Sequence, residues 1–473
     1  MKHGICIIWI LVSGILCLSC NDWLDVSPST EKDKEDILSN QAGFRSALIG
    51  AYIRMKSSGL YGKEMTWGVV ENLAQHWDFE KNSVGEFLNK YDYKAALVES
   101  TMATLYNNLY KVIADVNSIL EVIDKEKGVF APGEYELIKG EATAIRAFCH
   151  FDVLRLFGPI PGKLPSGKVL PYVTTVSLVP NQHRTYEEYT RMLVADLDTA
   201  ERNLGKVDLI RKYSIQELNQ SVPQTYGADD VFWGYRQMRM NYYAVLAEKA
   251  RVYLWLQDKS KALEYAREVI DAKDKAGKNM YSLGTMKDVA LFDYCFSSEH
   301  ILCLDIFNMS TAVNMKTAYH KSKMDLVADL FPNSSTDIRL IKWWEENIES
   351  DVHKNQLKKY VQEKNVPRLA KNSLPLIRLY EMYLIAMECG TLEEAASLYR
   401  EMAITRDFEY TGRLDSKDEL NRVLIDEYNR EFYGEGQAFY AYKRLGWKNI
   451  HWTSVKGGID TYVIPLPKQE LSY

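Results

Sequence analysis

The sequence is poor in residues and spacings that commit a chain to chemistry. Its 473 residues hold seven cysteines and eight histidines. No two cysteines form a C-x-x-C pair and no histidine cluster accompanies them, so no metal site is expected. The nucleophile elbow G-x-S-x-G, the metalloprotease H-E-x-x-H, the phosphate loop G-x-x-x-x-G-K-[ST] and the dinucleotide motif G-x-G-x-x-G are all missing. No catalytic residue and no cofactor are expected, and the chain reads as a non-enzyme. Asp229, Asp230 and Asp293 lack the spacing of a calcium loop. A formal net charge of -6 and a pI near 5.9 exclude the basic footprint of a nucleic-acid binder. Beyond the first twenty residues no apolar run approaches the roughly 20 residues that a spanning helix needs.

The apolar run that does exist lies at the start. Lys2 and His3 precede an almost wholly apolar stretch from Ile5 to Leu18, too short to span and of signal-peptide length. It ends at Leu18-Ser19-Cys20, a small residue before a cysteine, the pattern of a bacterial lipobox. One position departs from it, since Cys17 stands where leucine is usual. Residues 1–19 are read as a lipoprotein signal peptide, Cys20 as the lipidated residue and 20–36 as a polar, acidic tether. Of the remaining cysteines, Cys149 and Cys389 fall in apolar helical patterns as buried thiols. Cys295 and Cys303 leave a disulfide open.

After the tether, helical periodicity dominates. Leu105, Leu109, Val112, Val116, Ile119 and Ile123 recur at steps of three and four. Leu137, Ile138, Ala142, Ile145, Phe148, Phe151 and Leu154 form a second stripe, which Gly158 and Pro159 should end. The same pattern covers 186–204, 241–257, 260–272, 375–388, 392–404 and 417–433. Several of these come as pairs joined by a few polar residues, such as Tyr242 to Leu256 with Ser260 to Ala272. The pairs resemble degenerate tetratricopeptide hairpins. Residues 205–240 and 275–370 mix Gly, Pro, Ser and Asn with short apolar runs and read as long loops with a few short strands, the usual seat of function on a rigid scaffold.

Four segments together resemble the SusD/RagB family: Cys20 to Pro28; Gly140 to Pro161; Leu376 to Glu388; and Asn429 to Gly446 followed by Tyr462 to Pro467. Ala441 and Met387 depart from the family pattern. Arg146, Glu141, Arg378, Glu381, Arg430 and Glu435 in these segments are expected to pair or cap inside the scaffold, because a buried charge without a partner costs about 3–5 kcal/mol. The resemblance implies an all-α fold of tetratricopeptide-like hairpins with ligand loops, one SusD-like domain over 37–473. It also implies an outer-membrane surface lipoprotein whose partner is a TonB-dependent, SusC-like barrel and whose cargo is oligosaccharide or, in some members, peptide. A protein-binding helical scaffold is the remaining alternative.

Pyranose faces present C–H groups that lie on aromatic rings, with polar side chains reading the hydroxyls. The sequence contains 31 Tyr and 10 Trp. The loop Met65 to Phe79 holds Trp67, assigned to the core, and Trp77 flanked by His76 and Asp78. Trp343 and Trp344 are adjacent and must point apart, one inward and one outward. Trp77, His76, Asp78, Trp343 and Trp344 are therefore the expected ligand-binding residues.

Overall fold

The structure, a computed structural model, describes residues 36–177, 179–313, 329–332, 334–349, 352–410 and 413–471. Cys20, the signal segment and nearly all of the tether lie outside the described residues.

The principal helices are α1 (Gln41–Met55), α2 (Ala96–Leu120), α3 (Glu134–Phe157), α4 (Tyr186–Val207), α5 (Tyr242–Trp255), α6 (Lys259–Ile270), α7 (Leu379–Cys389), α8 (Leu392–Arg406), α9 (Lys417–Glu431) and α10 (Ala438–Leu445). Consecutive helices pack as hairpins, α2 on α3, α3 on α4, α5 on α6 and α7 on α8, and α6 on α7 joins two pairs. The fold is all-α and tetratricopeptide-like, as the periodicity predicts. α2 buries the stripe from Leu105 to Ile119. α3 is buried nearly all round from Gly140 onward and stops at Gly158. Capping boxes start α4 (Thr185 with Glu188) and α8 (Thr391 with Glu394), satisfying backbone N–H groups that a helix start leaves unpaired. Gly140 lets α3 and α4 meet, since a Cβ there would lie 2.7 Å from Leu204 Cγ.

Three small antiparallel pairs complete the fold: β1 (Lys168–Pro171) with β2 (His183–Thr185), β3 (His300–Asp305) with β6 (Ser373–Arg378), and β4 (Trp344–Glu349) with β5 (Val352–Leu357). The expected helix over 375–388 begins only at Leu379. Residues 373–378 pair with β3 instead, Pro375 opposite Cys303. All four described cysteines are free. Cys295 donates to the Lys359 carbonyl at 2.9 Å rather than bonding to Cys303, and Cys389 is only partly buried. No helix among the described residues is long and apolar enough to cross a membrane.

The charged residues of the four segments that resemble the family pair as expected. Arg146 grips Asp196 through two bonds of 2.7 Å. Glu141 accepts from Arg236 at 2.6 Å and from Tyr52 at 2.7 Å. The largest assembly centres on Glu431, which is fully buried. Its carboxylate takes Arg378 at 2.6 Å, Arg406 at 2.7 Å and Arg339 at 3.1 Å. Arg339 also holds Asp337 and Glu427; Arg378 also holds Glu299 and Glu435. With Lys359 on Glu435 and Arg430 on Glu427, five cations meet five carboxylates. Burial alone would raise the Glu427 carboxyl, but Arg339 and Arg430 outweigh it and hold it at about 2.

A second buried cluster is not balanced. Arg155 and Arg251 face three carboxylates, Asp152, Glu248 and Glu381. One bound proton would restore neutrality. Burial pushes the Glu248 carboxyl up to about 7, with Arg251 and Arg155 opposing only in part.

Two outcomes follow for stability. Glu431→Gln leaves three guanidinium groups short of a charge and should cost on the order of 3–5 kcal/mol in urea unfolding; a loss below about 1 kcal/mol would contradict this role. Glu248 binds its proton more tightly when folded, so its contribution is complete below the unfolded value of 4.5 and is lost as pH climbs through about 7. Between pH 5 and 8 the wild type should lose on the order of 2–3 kcal/mol relative to Glu248→Gln, and parallel pH profiles would refute the assignment.

Candidate ligand-binding groove

The segment after α1 is built from tight turns. Gly62 N–H donates to the Ser57 carbonyl at 3.0 Å and Gly68 N–H to the Lys63 carbonyl at 2.8 Å. The Trp67 indole N–H reaches back to the Gly62 carbonyl at 3.2 Å. Glu64 accepts from Val69 N–H at 3.1 Å and so starts the one-turn helix Val69–Leu73. Its Glu71 is fully buried and fastens the loop to a remote part of the chain. The Glu71 carboxylate accepts Gly434 N–H at 2.9 Å and Gly436 N–H at 2.6 Å, and it meets His76 Nδ1. Gly436 has φ +71°, and a Cβ there would lie 2.3 Å from the Met65 carbonyl. Only glycine permits that approach.

His76 and Trp77 then meet Tyr433. The imidazole stacks on the phenol ring at 4.2 Å, its Nε2 bonded to Asn429 at 2.9 Å. The Trp77 ring stands edge-on to Tyr433 at 5.2 Å and donates its N–H to the Trp67 carbonyl at 2.8 Å. Trp344, partly exposed, meets the same Tyr433 ring at 4.8 Å. Burial pushes the Tyr433 phenol well above its ordinary range, with Glu71 and Asp78 adding to it.

On the outer side of these rings lies a groove of about 540 Å³. Trp67, Trp77 and Phe79 supply its aromatic surface, and Lys63, Asn72, Asp78 and Glu80 its polar groups. Phe79 is 38% exposed, while Trp67 and Trp77 present only 8% and 4%. Lys63 lies over the Trp67 ring at 5.8 Å and pairs with Glu64 at 3.0 Å. Rings edged by donors and acceptors suit a ligand with apolar C–H faces and peripheral hydroxyls. Among the described residues no group of three or more His, Cys, Asp or Glu is placed to hold a metal ion.

The five expected binding residues thus take different places. Trp77 and Asp78 line the groove. Trp344 touches the Tyr433 ring and is partly exposed, but it does not line the groove. His76 and Trp343 have no exposed surface. His76 is a bridge between Glu71 and Asn429. Trp343 is core, packed on Phe296 with the Lys359 ammonium 4.0 Å from its ring centre. Neither lines the groove. Trp67, assigned to the core, reaches the groove with its edge. Phe79 was not singled out, although it follows Trp77 by two residues.

Comparison with known proteins agrees with this fold. Residues 22–208 match a SusD-like family whose description is "starch-binding associating with outer membrane". A SusD-like protein of Formosa agariphila is 24% identical over 151 residues, which span 31% of this chain and 28% of that protein's length. A SusD superfamily structure from Bacteroides thetaiotaomicron superposes with a TM-score of 0.69 at 19% identity, covering 92% of this chain and 98% of that one. A Bacteroides vulgatus structure described as a SusD-like carbohydrate-binding protein gives 0.64 at 17% identity over 86% and 84%. A laminarin-binding SusD-like protein gives 0.63 at 15% identity over 91% and 97%. The family match over residues 22–208 and the solved structures agree on one fold, and in that fold the chain is similar to SusD-like proteins.

Proposed function

We propose that this protein is a glycan-binding lipoprotein of the outer-membrane surface. It captures oligosaccharide and hands it to a TonB-dependent, SusC-like barrel, without turning the glycan over. The observation that carries the reading is the groove in which Phe79, Trp67 and Trp77 sit beside Lys63, Asn72, Asp78 and Glu80. The matched family's description, and the carbohydrate- and laminarin-binding descriptions of two proteins that share the fold, support it.

In this reading lipid on Cys20 holds the protein at the membrane. The exposed ring of Phe79 takes a C–H face of the sugar, with Trp67 and Trp77 beside it, a ring contact supplying roughly 0.5–1.5 kcal/mol. Carboxylate and amide groups read the hydroxyls. A few such contacts give millimolar to micromolar affinity, about -4 to -8 kcal/mol, weak enough for release to a transporter.

The direct test is binding to a panel of soluble polysaccharides by affinity electrophoresis or calorimetry. Saturable binding to at least one is expected, several-fold weaker in Phe79→Ala, which removes an exposed ring at little structural cost. Trp77→Ala should also weaken binding, but with a loss of about 3–5 kcal/mol in stability, since that ring is packed on Tyr433. No saturable binding to any polysaccharide would refute the reading. Cys20→Ala should move the protein from the membrane fraction to the soluble one, and an unchanged distribution would remove the lipid anchor from the proposal.

A further inference from the structure

A second depression, of about 730 Å³, runs beside the outer face of α1. It shares no residue with the groove at Phe79. Ile49 and Ile53, one helical turn apart and so on one face of α1, are 48% and 63% exposed along it, and Val231 is 51% exposed. The Phe232 ring adds to the apolar lining, with the guanidinium groups of Arg45 and Arg239 at 4.4 and 4.1 Å from its centre. Large aliphatic side chains exposed together mark a surface that something covers.

The charges of the lining do not balance. Asp230 pairs with Arg45 at 2.9 Å, Asp305 with Lys56 at 3.9 Å, and Arg239 with Glu141 at 2.8 Å. Arg368 and Lys371, both exposed, complete the lining. Arg368 donates to Gln220 and to the Tyr235 hydroxyl, each at 3.1 Å. Among the described residues neither Arg368 nor Lys371 meets a carboxylate. The occupant that fits therefore brings apolar side chains together with acidic groups.

The chain's own N-terminal segment has that composition and lies within reach. Asn21 to Pro28 holds Trp23, Leu24 and Val26 with Asp22 and Asp25, and no basic residue. The described residues begin at Asp36, and the Ile37 carbonyl lies against Gly43 in the first turn of α1. Pro28 stands eight residues before Asp36, and eight extended residues reach about 26 Å. Ile53 lies about 18 Å along α1 from Gln41, so a segment that turns back along the helix reaches the depression. A segment of the same chain needs little affinity, because its effective concentration is about millimolar. We propose that residues 21–28 dock in this depression, with Leu24 and Val26 against Ile49, Ile53 and Val231, and Asp22 and Asp25 beside Arg368 and Lys371. The docking is independent of the glycan groove. Lipid on Cys20, as proposed above, would then fix which face of the molecule meets the membrane.

The test uses the full chain, expressed with its signal segment and purified in detergent, with cysteine pairs introduced. Val26→Cys is combined in turn with Ile49→Cys, Ile53→Cys and Ile404→Cys, the last at a 75% exposed isoleucine of α8 outside the depression. After mild oxidation with copper phenanthroline the disulfides are mapped by peptide mass spectrometry, each single variant serving as background. Bonds within one molecule to position 49 or 53 should form at least about ten-fold faster than to position 404. Arg368→Glu with Lys371→Glu should slow them at least about three-fold, and adding Asp22→Lys with Asp25→Lys should restore the rate. Equal rates at all three positions, as for a segment that wanders freely, would overturn the proposal, as would a rate indifferent to the charge reversal. So would bonds formed only between molecules, which would give the depression to a second copy. Absence of any bond to position 49 or 53, in variants that keep the wild-type urea midpoint, would overturn it as well and leave the depression to another partner.

Discussion

Three guanidinium groups converge on the carboxylate of Glu431, and the arrangement of the middle and C-terminal parts of the chain depends on that convergence. Arg339 comes from the segment before β4, Arg378 from the end of β6 and Arg406 from the end of α8. Each would be costly to bury alone. Together they are tolerable only if all are present and all are placed, so the network acts as a register for four segments distant in sequence. Glu435, four residues on, takes Arg378 and Lys359. The turn between Glu431 and Gln437 is thereby fixed, and this is the turn whose Gly434 and Gly436 N–H groups bind Glu71. Through Glu71 the groove inherits the position of the ion network. The Phe79 ring is presented by a loop, but the loop is clamped at its base, through Glu71, to the turn that the buried ion network fixes.

The scaffold was legible because its signals are local. A stripe such as Leu105 to Ile123, or a stop such as Gly158 before Pro159, can be read within a window of a dozen residues. β6 shows the limit of such a window: Leu376 and Ile377 look helical beside α7, and only pairing with β3, some seventy residues earlier in the chain, makes them a strand. The pairing of Arg146, Glu141, Arg378, Glu381, Arg430 and Glu435 was foreseeable from cost alone, although the partners were not. The site was legible only in part. Trp77 and Asp78 fall on the groove, but His76 was claimed by Glu71 and Asn429, the latter 353 residues away. Trp343 and Trp344 divide as adjacent residues must, one buried and one partly exposed.

The abundance of tyrosine gains a physical account in the packed structure. Tyr52 carries its hydroxyl to Glu141, Tyr61 to Asp152, Tyr172 to Asp196 and Tyr380 to Glu427. In each case a large ring fills the core while its O–H satisfies a buried carboxylate that a guanidinium also holds. Phenylalanine would bury as much area and leave the carboxylate short of a donor. Tyr93 and Tyr360 do the same for main-chain carbonyls of Thr461 and Gly434.

That division of labour bears on what the ring-lined groove does. Most aromatic side chains here are consumed by the scaffold, and of the three rings at the groove only Phe79 offers a broad face. Stacking therefore supplies a small share of any binding energy, and the polar rim of Lys63, Asn72, Asp78 and Glu80 must supply selectivity. A single exposed ring with adaptable polar neighbours favours loose capture over tight retention, which fits the proposed hand-over to a transporter.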